Sequence, residues 1–163
     1  MAVKFREGQW FAIPLDKGGY ALGIVARGHS RTKICLGYFF GDRFEEIPSE
    51  EDLRNLRATD AILVTRFGNP GLTTGKWPLI MNGLPFDRDD WPVPKFGRID
   101  IIDREWGWLV EYPNKGKWSN LPLQETRVKS IELMGLPRDR MSGSRAIEVK
   151  LDDLLSHKPL HSN

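Results

Sequence analysis

Apolar and polar positions alternate with a period of two over residues 9–15, placing Phe11, Ile13 and Leu15 on one side of an extended chain. Asp16 to Gly19 supplies turn residues, and Tyr20, Leu22 and Ile24 then resume the alternation. The pattern predicts a hairpin across residues 7–27. Pro14 cannot donate a ladder hydrogen bond, so the first strand is expected to lie at an edge there, or to be bulged. On this reading the hairpin is scaffold. Phe11, Ile13, Tyr20, Leu22 and Ile24 pack it, while Pro14, Gly18 and Gly19 shape it.

The same period continues in TKICLGYFFG, where Ile34, Leu36, Tyr38 and Phe40 share a face. DAILVTRFG reads as a further strand and GKWPLIM as a shorter one. RIDIIDREWGWLVEYP predicts a second hairpin turning near Arg104 to Trp106, and TRVKSIELMG a last strand. Two stretches break the period. PSEEDLRNL is expected to form a short helix capped by Ser49, with Glu50, Glu51 and Asp52 at its positive end. In SGSRAIEVKLDDLLSH, Ile147, Leu151, Leu154 and Leu155 recur at helical spacing, with Ser142 or Ser144 as cap. NGLPFDRDDWPVPKFG holds three prolines and two glycines and reads as a long ordered loop.

These elements predict a mainly β, α+β fold. The expected form is a strongly bent antiparallel sheet or an SH3-like partly open barrel, with one or two short helices. A chain of 163 residues is read as a single domain, 1–163. Its core spans about 5–135, its C-terminal helix about 143–156, and a frayed tail 158–163.

Composition changes this picture little. Hydrophobic residues make up 40% and charged residues 28%, and a net charge of +2 does not by itself imply nucleic acid. The charge is unevenly placed: residues 42–60 hold seven acids against three arginines. The one cysteine, Cys35, can form no internal disulfide. MAVKFREGQW has no apolar core of a leader, and no apolar run approaches a membrane span, so the expected compartment is the cytoplasm with no membrane partner.

The search for chemistry returns few candidates. His29, His157 and His161 form no H-x-H or H-E-x-x-H motif and two lie in the tail, and the DRDD run at 87–90 lacks the glycine and distal glutamate of a calcium loop. No metal site and no cofactor is expected. Cys35 sits between Ile34 and Leu36, as a structural thiol would. MSGSR only superficially resembles a nucleophile elbow, and NPGLTTGKW lacks the spacing and the following helix of a phosphate loop. Trp106, Trp108, Tyr112, Lys115, Lys117 and Trp118 interleave aromatic and basic types, which a single-stranded nucleic acid could use. Trp106 and Trp108, however, share one strand face and are expected to cover the core, and acids at 87–105 would repel phosphate.

Protein recognition fits better. Asp87, Arg88, Asp89, Asp90, Trp91 and Arg98 combine an aromatic anchor with both signs of charge on a proline-stiffened loop. Against Trp91 as anchor stands the reading that Trp91 and Phe96 fold inward.

The opening EGQWFAIPLDKGGYALGIVA resembles the start of the immunity protein 26 family of bacterial polymorphic toxin systems. Gly8, Phe11, Ala12, Ile13, Pro14, Leu15, Tyr20, Gly23 and Val25 stand where members carry a glycine, an aromatic, AIPL, a turn, then Tyr, Gly and Val. GKWPLI and WPVPKFGRID are similar to its middle segments, and the likeness runs over about residues 5–135. It implies a cytoplasmic antidote that binds a cognate protein toxin through a charged surface and performs no catalysis. Glu45, Glu46, Glu50 and Glu51 then join the loop residues as partner-binding candidates, mimicking phosphates if the toxin is a nuclease. Some relatives are labelled small phosphotriesterases, so a metal-dependent phosphotriesterase-like hydrolase is the alternative, with a nucleic-acid-binding small barrel third. The resemblance carries no catalytic residue onto this chain.

Overall fold

The computed structural model describes residues 2–161. In chain order its elements are β1 (Trp10–Pro14), β2 (Tyr20–Arg27), β3 (Ile34–Phe44), α1 (Glu50–Leu53), β4 (Ala61–Gly68), α2 (Pro70–Thr73) and β5 (Leu79–Ile80). Then follow β6 (Phe96–Ile99), β7 (Trp106–Glu111), β8 (Gln124–Lys129), β9 (Met141–Ser142), α3 (Ser144–Leu155) and β10 (Leu160–His161). They form two compact units: one runs through Trp91 and resumes at Met141, and the other is residues 92–140.

The larger unit is a seven-stranded sheet in the order β5-β1-β2-β3-β4-β9, with β10 on β3. The mainly β expectation holds, in the bent-sheet rather than the barrel form. The sheet is not closed, because its path ends at β5 and β9. It is also not purely antiparallel. β9 on β4 and β10 on β3 are short parallel pairings that the chain makes on its return from the other unit. Of the tail expected at 158–163, residues 162 and 163 lie outside the described residues.

The first hairpin forms as its alternation predicts, with Pro14 opposite Tyr20 and Phe11 opposite Gly23. β5 covers β1 only at Trp10 and Phe11, so Pro14 lies at an open edge where its missing N–H costs nothing. A register shift between Tyr20 and Leu22 bends β2 against β3 close by.

The alternation suggests one buried face for this hairpin; the fold buries both. On one face Phe11, Ile13, Phe39 and Phe67 pack under Trp77 and under Ile147, Leu151 and Leu155 of α3. On the other, Trp10, Ile24, Tyr38 and Phe40 are also at most 4% exposed. Ile13 and Ile24 therefore belong to opposite cores. Replacing either with alanine should cost about 2–5 kcal/mol in urea unfolding. Two glycines make the first core possible. A side chain at Gly23 would strike the Phe11 ring, and one at Gly37 would strike Phe39 and Phe67. The rings lie flat over bare backbone, which a pleated strand of larger residues would forbid.

α3 fills its expected range and buries its Ile147, Leu151 and Leu155 stripe, while Leu154 stays partly exposed. Its N-cap is Gly143 rather than either serine. The Ser144 hydroxyl instead accepts a hydrogen bond from the Gly71 N–H at 2.8 Å, tying the helix to α2. Glu148 ties it again. The Glu148 carboxylate is buried and accepts from Trp77 Nε1, Lys76 Nζ and Arg145 Nη1 at 3.0, 3.0 and 3.2 Å. Burial pushes this carboxyl up, but those three donors outweigh it and hold it below the ordinary glutamate value of 4.5. A depressed folded-state pKa stabilises the fold above the unfolded value. That contribution should disappear as pH falls below about 4.5, and Glu148→Gln should flatten the acid limb of a stability-against-pH curve.

The smaller unit is a three-stranded antiparallel sheet in the order β6-β7-β8. The second hairpin forms, but its turn runs over residues 100–105, so it starts before the expected Arg104 to Trp106, and Trp106 already opens β7. TRVKSIELMG is strand only to Lys129. Ser130–Leu133 then form a 3₁₀ turn that lays Leu133 over Gly97 and Gly107. Trp106 and Trp108 do share a face, but they do not cover a core. Both are half-buried beneath cations: Arg98 and Arg127 lie over Trp108, and Arg127 and Lys129 over Trp106. The apolar cluster of this unit is built instead around Phe96, Val110, Tyr112 and Trp118.

Candidate functional site

Two stretches flagged separately in the sequence meet in the larger unit. The acidic stretch leaves β3, forms α1 and a 3₁₀ turn at Ala58–Asp60, and enters β4. Ser49 caps α1 as expected, with its N–H donating to Asp52 Oδ2 at 2.8 Å. The proline-stiffened loop follows β5. Between them lies an open groove of about 540 Å³. Its apolar lining includes Trp10, Ile24, Leu53, Leu56, Phe86 and Trp91; Arg54 and Arg57 line it from one stretch and Asp90 from the other. Glu50 Oε2 accepts the Gly83 N–H at 3.2 Å, stitching the two walls together.

The loop wall is held firmly. Trp91 is 7% exposed and packs on Trp10, Tyr38 and Phe40 with ring centroids 5.6, 5.3 and 6.0 Å apart. Its carbonyl accepts from the buried Arg27 Nη1 at 2.9 Å. Desolvation, with Arg88 nearby, lowers the Arg27 pKa from its usual value. Arg88 grips Glu7 through two hydrogen bonds, Nε to Oε1 at 2.7 Å and Nη2 to Oε2 at 2.8 Å. Gly8 takes φ of +87°, and any side chain there would meet Phe86. Gly8→Ala should therefore dislodge the loop, seen as lost protection of its amides in hydrogen exchange.

The candidate residues divide accordingly. Trp91 folds inward and is a wall of the groove, not a projecting anchor; Phe96 is likewise buried, in the smaller unit. Arg88 is spent on Glu7, Glu50 on Gly83 and Arg54, and Asp87 accepts the Asp89 N–H. Glu45, Glu46, Glu51, Asp89 and Asp90 are exposed. Among the described residues, the Glu46, Glu51 and Asp90 side chains make no hydrogen bond or ion pair. Arg98 belongs to the smaller unit, where it donates to Asp139 and Glu125 over the Trp108 ring. The sequence reading missed Leu53, Leu56 and Phe86. The three-residue spacing of Leu53 and Leu56 within the acidic run was the available signal.

A family profile described as Immunity protein 26 matches residues 6–108. The chain belongs to the immunity protein 26 family. The match spans the first hairpin, both walls of the groove, and the strands as far as Trp108. No curated protein and no solved structure matches the chain. Membership in the immunity protein 26 family implies an immunity role, with binding of a toxin as its general form. Cys35 is fully buried, and burial pushes its thiol up to about 12, far from a reactive thiolate. Among the described residues no three His, Cys, Asp or Glu side chains gather closely enough to hold a metal ion. No helix is long and apolar enough to cross a membrane.

Proposed function

We propose that this immunity protein 26 chain is an antidote that binds a cognate toxin domain at the groove between residues 50–59 and 84–91, without catalysis. The observation that carries the reading is the convergence of those two stretches on one preformed groove. The floor is apolar and Asp90 lines the groove, and the acidic stretch and the loop that form it also carry Glu46, Glu51 and Asp89, all exposed. Rigid walls lower the entropy lost on docking, and an apolar centre with a charged rim is the usual anatomy of a protein interface. The exposed acids suit a basic surface such as a nuclease uses to hold phosphates.

The test is co-expression with toxin domains from the same genome in a sensitive bacterial host. The wild-type chain should restore growth and co-purify in stoichiometric amount with one of them. Replacing Glu45, Glu46, Glu50 and Glu51 together with lysine should weaken that complex by at least about a hundredfold, given coupling of 1.5 kcal/mol or more per close charge pair. Circular dichroism must show the variant folded. Unchanged protection by the fourfold variant would refute the acidic rim as the docking surface.

A further inference from the structure

The smaller unit carries a feature that nothing described so far employs. At the tip of its β6–β7 hairpin, Ile101 is 84% and Ile102 93% exposed. The tip is not a loose loop. Asp100 Oδ1 accepts the Ile102 N–H at 2.9 Å, and Arg127 Nη1 donates to Asp100 Oδ2 at 3.1 Å. Ser130 closes the other side, its hydroxyl donating to the Arg104 carbonyl at 2.6 Å and its N–H to that of Glu105 at 2.9 Å. Two β-branched side chains are thus held in water by a built scaffold, with the charged Asp103 and Arg104 following at once.

We propose that this tip docks into the groove of a second copy of the chain. The complementarity is in charge and in apolar character. The groove has an apolar floor, cations Arg54 and Arg57 on one wall and the anion Asp90 on the other. The tip offers the apolar pair, the anion Asp103 and the cation Arg104, and is the counterpart of each. Arg57 and Arg104 make no side-chain hydrogen bond or ion pair among the described residues, so both are available. The residues around the tip carry both signs, Asp103, Glu105 and Glu132 beside Arg104, Arg127 and Lys129, and do not form the cationic cluster that an anionic membrane selects. The contact is small, so association is weak and concentration-dependent. A toxin that occupies the same groove displaces the second copy.

Sedimentation equilibrium of the purified chain tests this without any toxin, so its outcome is separate from that of the antidote reading. The wild type should self-associate within a range reaching about 1 mM, the limit of weak but specific binding. Ile102→Asp, at an almost fully exposed position, and Arg57→Glu, at the groove, should each weaken association at least tenfold. Mixing those two variants should recover a 1:1 complex, since one intact tip then meets one intact groove. Combining Arg57→Glu with Asp103→Arg in one chain should restore self-association. A wild type that stays monomeric across the range, or an Ile102→Asp chain that associates as the wild type does, overturns the proposal.

Discussion

Trp77→Ala should come close to unfolding the chain. Trp77 is fully buried and stacks on Phe11 with ring centroids 5.5 Å apart and planes 6° from parallel. It also touches Phe39 and Phe67, so it caps the aromatic cluster that two strand glycines leave room for. Truncating a buried tryptophan costs about 3–5 kcal/mol through lost transfer energy and the cavity left behind. A second loss is chemical. Trp77 Nε1 is one of the three donors that hold Glu148 ionised inside the fold. Leaving a buried carboxylate short of a donor costs about 1–3 kcal/mol more. Against a total stability of about 5–15 kcal/mol, a combined loss of about 4–8 kcal/mol is a large share of what a domain has. Urea titration followed by far-UV circular dichroism would read it. Trp77→Phe separates the two parts, keeping most of the ring stack and losing only the donor. If Trp77→Ala shifts the midpoint no more than Trp77→Phe, the stack is not what holds this face.

In the smaller unit the largest effect should come from Asp139→Ala. The Asp139 side chain is 5% exposed, and it accepts from Arg98 Nη1 at 2.8 Å and from the Tyr112 hydroxyl at 2.6 Å. It thereby joins β6, the end of β7 and the segment at 137–139 that runs beside Gly97. Removing the carboxylate strips the Tyr112 hydroxyl of that acceptor and leaves Arg98 with Glu125 alone at the surface. The expected cost is about 2–4 kcal/mol, below the 3–5 kcal/mol of a fully buried pair because Arg98 is 41% exposed. Amide exchange should quicken in β6, β7 and β8 while β1 to β4 stay protected. Arg98→Lys should cost less, but it should also release the stacking over Trp108, visible as a change in tryptophan emission. Uniform loss of protection across both sheets would show that Asp139 acts on more than its own unit.

The candidate site was half legible. Acids gathered at 42–60 and prolines at 84–98 mark exposed, stiff segments by composition alone, and the parts of them at 53–59 and 84–91 line the groove. Which of their charges remain available is a matter of partners distant in the chain. Arg88 reads as a surface cation until Glu7, 81 positions earlier, is found to hold it. Trp91 reads as an anchor until Trp10, Tyr38 and Phe40 are found beneath it. No local pattern encodes such pairings.

What the sequence determined by itself is whatever depends on neighbours in the chain. The period-two runs made the hairpin of β1 and β2, β3 and β4. Ile147, Leu151 and Leu155, four apart, made α3. The aromatics, glycines and prolines of residues 6–108 marked the family. Tertiary structure decided everything that depends on distant contact. It buried both faces of the first hairpin, because α3 and Trp77 cover one side and Trp91 the other. It turned the two-residue strands β9 and β10, too short to carry a period, into parallel partners of β4 and β3. It set cations over Trp106 and Trp108 where alternation suggested core. The physical reason is the same throughout. Periodicity reports which side chains share a face, but only packing against elements far along the chain decides whether that face meets protein or water.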